Sequence, residues 1–127
     1  MNHHDEISVT VDPVRAREYF EAKRTFNTTP AGVNQAIAEK RGIVIVDVRS
    51  AEDFESGHVP GALNLPPGAW GSPAGLSKEN VNVVYCYSHT CRFGGDACAV
   101  LAALGYPVIE MDGGYDYWRL SGFDVAT

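Results

Sequence analysis

The run Tyr85-Cys-Tyr-Ser-His-Thr-Cys-Arg sets Cys86, Cys91 and Arg92 between a β-branched stretch and an alanine-rich one. A thiol at Cys86 could be a nucleophile, a metal ligand, half of a disulfide or a small apolar filler. Zinc fits poorly, because Cys86 and Cys91 lack the short spacing of paired zinc ligands and no second pair completes a set. Cysteine chemistry needs the thiolate, and an unperturbed thiol with a pKa of about 8.5 is only slightly ionised at neutral pH. A curled loop of backbone N–H groups ahead of a helix start makes an anion pocket that favours the thiolate. Arg92 adds a permanent charge with a two-pronged fork for an oxyanion. The stretch is therefore suited to covalent chemistry through sulfur, with His89 open as a polar or acid–base group. A loop that turns back on itself also brings Cys91 near Cys86. Cys91 then either resolves an oxidised Cys86 or points inward and is inert. Cys98, in the helical stretch that follows, reads as core filler.

Those residues need elements to hold them. "VNVVYCY" and "IVIVDV" are β-branched runs that read as strands buried on both faces, as in a parallel sheet. "GALNLP" and "PVIEM" are shorter extended pieces. Between them lie helical patterns. Pro13–Phe26 carries a stripe of Ala16, Tyr19, Phe20 and Phe26. A second helix starts at Thr29 and Pro30 and stops at Gly42. "SAEDFES" gives a short turn of helix ended by Gly57. From Gly95 to Leu104 the positions Ala97, Val100, Leu101 and Leu104 form an inward face, and "GGYDYWRLSG" gives a last short helix. Strands alternating with helices predict an α/β domain with a five-stranded, mostly parallel sheet flanked by helices. In such sheets ligands sit beyond the carboxyl ends of the strands, where Cys86 falls.

The composition bounds the function. The chain of 127 residues has sixteen acids against ten bases, a formal charge of −6, which argues against a nucleic-acid partner. Its only cationic cluster, Arg15, Arg17, Lys23 and Arg24, is interleaved with Glu18 and Glu21 and reads as a solvated helix face. No apolar run approaches the roughly 18 residues of a membrane span, and the start lacks the layout of a secretory signal. Three cysteines do not form a disulfide framework, so a cytoplasmic location is the expectation. His3 and His4 read as part of a loose tail.

Two further stretches carry a resemblance. "DVRSAEDFESGHVPGALNLP" and "MDGGYDYWRLSGFDV" closely resemble the two signatures of the rhodanese-like domain, with Cys86 between them in the place of the family nucleophile. The resemblance spans residues 28–127 as the domain, with residues 1–27 as a tail and an extra N-terminal helix packed on it. It implies a sulfurtransferase that carries a sulfane sulfur as a Cys86 persulfide, from a small anionic donor such as thiosulfate to a thiol or cyanide. Tyr87, Ser88, His89, Thr90, Cys91 and Arg92 would form the loop around that sulfur. It implies no metal and no cofactor, and names no protein partner. Asp47 and Arg49 either tie loops together or face the site, while His58 reads as a hydrogen-bonded turn residue and Trp118 as a core plug. One feature departs from the sulfurtransferase pattern. Five residues separate Cys86 from Arg92, one more than usual, as in phosphatases of the same fold and in arsenate reductases. A non-catalytic module that binds a partner or senses redox state through Cys86 and Cys91 is the third reading.

Overall fold

The computed structural model describes residues 11–127, so His3 and His4 lie outside the described residues. The chain runs α1 (Pro13–Phe26), β1 (Asn27–Thr28), α2 (Pro30–Ala38), β2 (Val44–Asp47), α3 (Ala51–Ser56), β3 (Leu63–Asn64), β4 (Asn82–Tyr85), α4 (Phe93–Ala103), β5 (Val108–Met111) and α5 (Gly114–Leu120). The five strands form one sheet in the order β1-β5-β4-β2-β3, and every pairing is parallel. The strand that leads into Cys86, β4, is therefore central.

Period-two alternation divides the core. Val83 and Tyr85 of β4 join Val33, Ile45, Met111 and Trp118 in one apolar cluster. Val84 and Cys86 point the other way and pack with Val46, Val48, Ala97 and Leu101. Trp118 is fully buried and donates its indole N–H to Asp124 O at 2.8 Å, the plug its sequence context predicts. His58, expected in a turn, instead pairs with Ala126 in an antiparallel bridge, with Nδ1 2.8 Å from Phe54 O and its ring stacked on that of Phe54.

Local signals set most boundaries. Thr29 Oγ1 accepts from Gly32 N at 3.1 Å, and Pro30 opens α2 where a missing N–H costs nothing. The far end differs from expectation. α2 stops at Ala38, and Lys40 takes the left-handed turn (φ 54°) that the sequence assigned to Gly42. α4 begins at Phe93, two residues early. Ala97 and Leu101 are buried as expected, but Val100 and Leu104 stand on the exposed rim. Gly94 completes the buried face with Ala97 and Leu101, and Cys98 packs at its edge.

α1 forms as expected, capped by Asp12, whose carboxylate accepts from Arg15 N at 3.1 Å. None of its residues is buried; Tyr19, Phe20 and Phe26 are 58%, 62% and 57% exposed.

Candidate active site

β4 delivers Cys86 to the carboxyl end of the central strand, where it is only 2% exposed. The backbone then turns sharply, with Cys91 N donating to Ser88 O at 3.2 Å and the Ser88 and Thr90 hydroxyls 3.0 Å apart. That turn brings Cys91 onto Cys86, and the two form a disulfide with Cα atoms 6.4 Å apart, inside the usual range. Cys91 both lines the cleft and packs against the edge of the second apolar cluster. Arg92 follows directly, exposed, at the start of α4.

A second element fixes this loop from below. The first amides of α5 donate to it, Tyr115 N to Cys86 O at 2.9 Å and Asp116 N to Tyr87 O at 3.0 Å. The approach is so close that a Cβ on Gly114 would lie 2.7 Å from Cys86 O and 2.8 Å from Ser88 N. Gly114 also has φ 61°, so a glycine is required there on two counts.

The loop opens onto a cleft of about 730 Å³ lined by Cys86, Ser88, His89, Cys91 and Arg92. Tyr87 and Thr90, expected with them, do not line it. Tyr87 turns toward α3, where its hydroxyl donates to Asp53 Oδ2 at 2.6 Å and accepts from Ser50 N at 3.2 Å. Asp47 and Arg49 are buried ties. Arg49 binds the Asp47 carboxylate, donates to Gly57 O at 2.6 Å and lies 4.0 Å from the centre of the Tyr115 ring. Tyr85 donates its hydroxyl to Asp47 Oδ2 at 2.6 Å and accepts from Val59 N. This knot holds the ends of β2 and β4 together beneath the loop, and neither Asp47 nor Arg49 reaches the cleft.

The model of the Rhodanese-like domain matches residues 29–121, most of the chain. The chain belongs to the rhodanese-like family. It is 35% identical over 98 residues to the thiosulfate sulfurtransferase GlpE of Pseudomonas savastanoi, covering 74% of this chain and 88% of that protein. It is 34% identical over 84 residues to an HTH-type transcriptional regulator of Mycobacterium tuberculosis, covering 65% of this chain but only 37% of the regulator. In structure it is similar to the BH2092 protein from Bacillus halodurans, with a TM-score of 0.80 and 33% identity over 91% of this chain and 86% of that one.

In this rhodanese-like site the other wall of the cleft lies partly in the second signature, through Met111, Asp112 and Tyr117, and partly in residues that no motif marked, Tyr19, Lys23 and Glu110. It is made by Tyr19 and Lys23 of α1, Glu110 and Met111 of β5, Asp112 beyond it, and Tyr117 of α5. Glu110 is half-buried, and its carboxyl is held above the ordinary range, first by burial and then by the neighbouring charge of Asp112. The place a Cβ would take on Gly94 collides with Glu110 Oε2 and lies 3.6 Å from Cys86 Cβ, so Glu110 and Cys86 share one corner. The only sequence signal for this was the charge of Glu110 in an otherwise apolar strand. Cys98 packs against the core on α4, and burial together with Glu110 pushes its thiol up to about 12. Among the described residues no group of His, Cys, Asp and Glu could hold a metal ion.

Proposed function

We propose that this chain is a sulfurtransferase in which Cys86 carries the transferred sulfur as a persulfide. The reading rests on one observation above the others, the position of Cys86 at the floor of the cleft, beyond the end of the central strand, ahead of the start of α4. A small anionic donor such as thiosulfate enters past Lys23 and Arg92. The Cys86 thiolate attacks the outer sulfur, the S–S bond of the donor breaks, and sulfite leaves. Burial of the persulfide limits its loss to water, while the positive end of α4 favours its anion. Cyanide or a thiol then takes the sulfur and returns the thiolate.

The five-residue spacing favours a phosphatase as the second reading, since a wider ring of amides suits phosphate. Two loop amides count against it. Cys91 N is spent on Ser88 O and Thr90 N lies 3.4 Å from Ser88 Oγ, so both serve the loop rather than a ligand. The test is intact mass of the reduced Cys91→Ala protein, whose one loop thiol is Cys86, after thiosulfate, with and without cyanide. A gain of one sulfur, reversed by cyanide and absent in Cys86→Ser, is the expected result. An unchanged mass with Cys86-dependent hydrolysis of an aryl phosphate would hand the site to the phosphatase reading.

A further inference from the structure

We propose that Cys91 is an internal acceptor that discharges the Cys86 persulfide as sulfide, so that the protein converts a sulfane sulfur to hydrogen sulfide at the expense of a dithiol. The inference rests on the persulfide reading above and adds its acceptor class. Its basis is the bonded pair at the cleft floor. The turn closed by Cys91 N and Ser88 O carries Cys91 sulfur to Cys86 Sγ itself, with the Cα atoms 6.4 Å apart. Cys86 is 2% exposed, so an external thiol must descend the cleft to reach that atom, whereas Cys91 is already beside it. An internal thiol held in reach has an effective concentration far above that of thiols in solution.

The step balances without any further oxidant. The Cys91 thiol first gives its proton to the terminal sulfur of the persulfide anion, and the resulting Cys91 thiolate attacks Cys86 Sγ of Cys86–S–SH. The bond from Sγ to the terminal sulfur breaks, and its electron pair leaves with that sulfur as HS⁻, which keeps the persulfide proton. The bond between Cys86 and Cys91 forms. The sulfane sulfur is reduced to sulfide, and the two cysteine sulfurs are oxidised to the disulfide seen in the structure. Resetting the site takes two electrons from a dithiol by thiol–disulfide exchange. This gives Cys91 a use that a carrier relying on outside acceptors does not supply. Gly114 and the two α5 amides pin the Cys86 end of the loop, so the Cys91 end is the part that swings toward the sulfur.

The experiment uses the full chain, reduced, freed of reductant and mixed with thiosulfate alone, with sulfide trapped and thiols counted. The wild-type protein should release about one sulfide per chain and lose both loop thiols to a disulfide. Cys91→Ser, and Cys91→Ala as a second version, should instead hold one added sulfur and release sulfide at least about tenfold more slowly. Cys98→Ser should release sulfide as the wild type does. Equal release from the Cys91 variants, or a wild-type protein that keeps its added sulfur with Cys91 still free, overturns the proposal. If the Cys91 variants are folded yet take up no sulfur, the carrier reading itself has failed and the internal acceptor falls with it.

Discussion

Glu110 sits in the corner of the cleft next to Cys86, where an ionised carboxylate would oppose an incoming anion. Its charge is felt by Lys23 from α1, Asp112 beyond β5 and Cys98 on α4, and Asp96, His89 and Arg92 line the same cleft. Burial and Asp112 raise its pKa above the ordinary 4.5, with Lys23 acting the other way. A raised acid binds its proton more tightly folded than unfolded, so its contribution is present below 4.5 and lost as pH rises through the folded value. Glu110→Gln should therefore match the wild type in stability at pH 4 and exceed it at pH 7, measured by urea midpoints. KM for thiosulfate should fall at pH 7 in the same variant; a variant less stable than wild type at both pH values would remove Glu110 from this account. The Asp47–Arg49 pair calls for a different substitution. Both side chains are almost wholly buried, so Asp47→Asn strands the guanidinium and should cost about 3–5 kcal/mol. Asp47→Asn with Arg49→Met should cost clearly less than the two single changes added together, because the stranded charge is gone. Simple additivity in that double-mutant cycle would show the pair to be uncoupled.

At the scale of elements, the junction of β5 and α5 is what positions the loop. Gly114→Ala drives a methyl group into the carbonyl of Cys86 at a backbone angle that side chains seldom adopt. The expected cost is about 1–3 kcal/mol. Sulfur transfer should fall further than stability predicts, since the collision moves Cys86 and Ser88 themselves. Chemical denaturation and kcat/KM on the same preparation check this; a folded variant with full activity would show the loop to be held from elsewhere. The Gly-Gly pair was legible as a motif, but its reason was not, because it lies in a contact between segments far apart in the chain. Gly94 is a parallel case. Read alone it only weakens the start of α4, yet the folded chain uses the missing side chain to admit Glu110. What the sequence showed well were the β-branched strands, the Thr29–Pro30 cap, the Cys86–Arg92 loop and the buried Trp118, all set by local pattern. What it hid were the cleft wall from α1 and Glu110, the outward turn of Tyr87 and the role of Lys40. Each of these is decided by neighbours that no spacing within one segment records.

For the molecule as a whole, the question is what α1 adds to the domain. Neither apolar cluster draws a residue from Pro13–Phe26, so the core is complete without it. The family model begins at residue 29, but the match to the Bacillus halodurans protein takes in 91% of this chain, too large a share to leave α1 out entirely. What α1 does contribute is one side of the cleft, through Tyr19, Ala22 and Lys23. Lys23 and Arg92 are the lysine and arginine among the lining residues, facing Asp96, Glu110 and Asp112. Removing α1 therefore subtracts a positive charge from a wall already rich in acids. A chain starting at Asn27 should stay folded, with Tm lowered by no more than about 5 °C. Its KM for thiosulfate should rise by about two- to fivefold, in keeping with a single exposed charge, and the rise should shrink in high salt. Lys23→Gln in the full chain should reproduce most of that rise while leaving Tm unchanged. Loss of cooperative unfolding in the shortened chain would make α1 part of the core after all. An unchanged KM in both proteins would make it a bystander to the site.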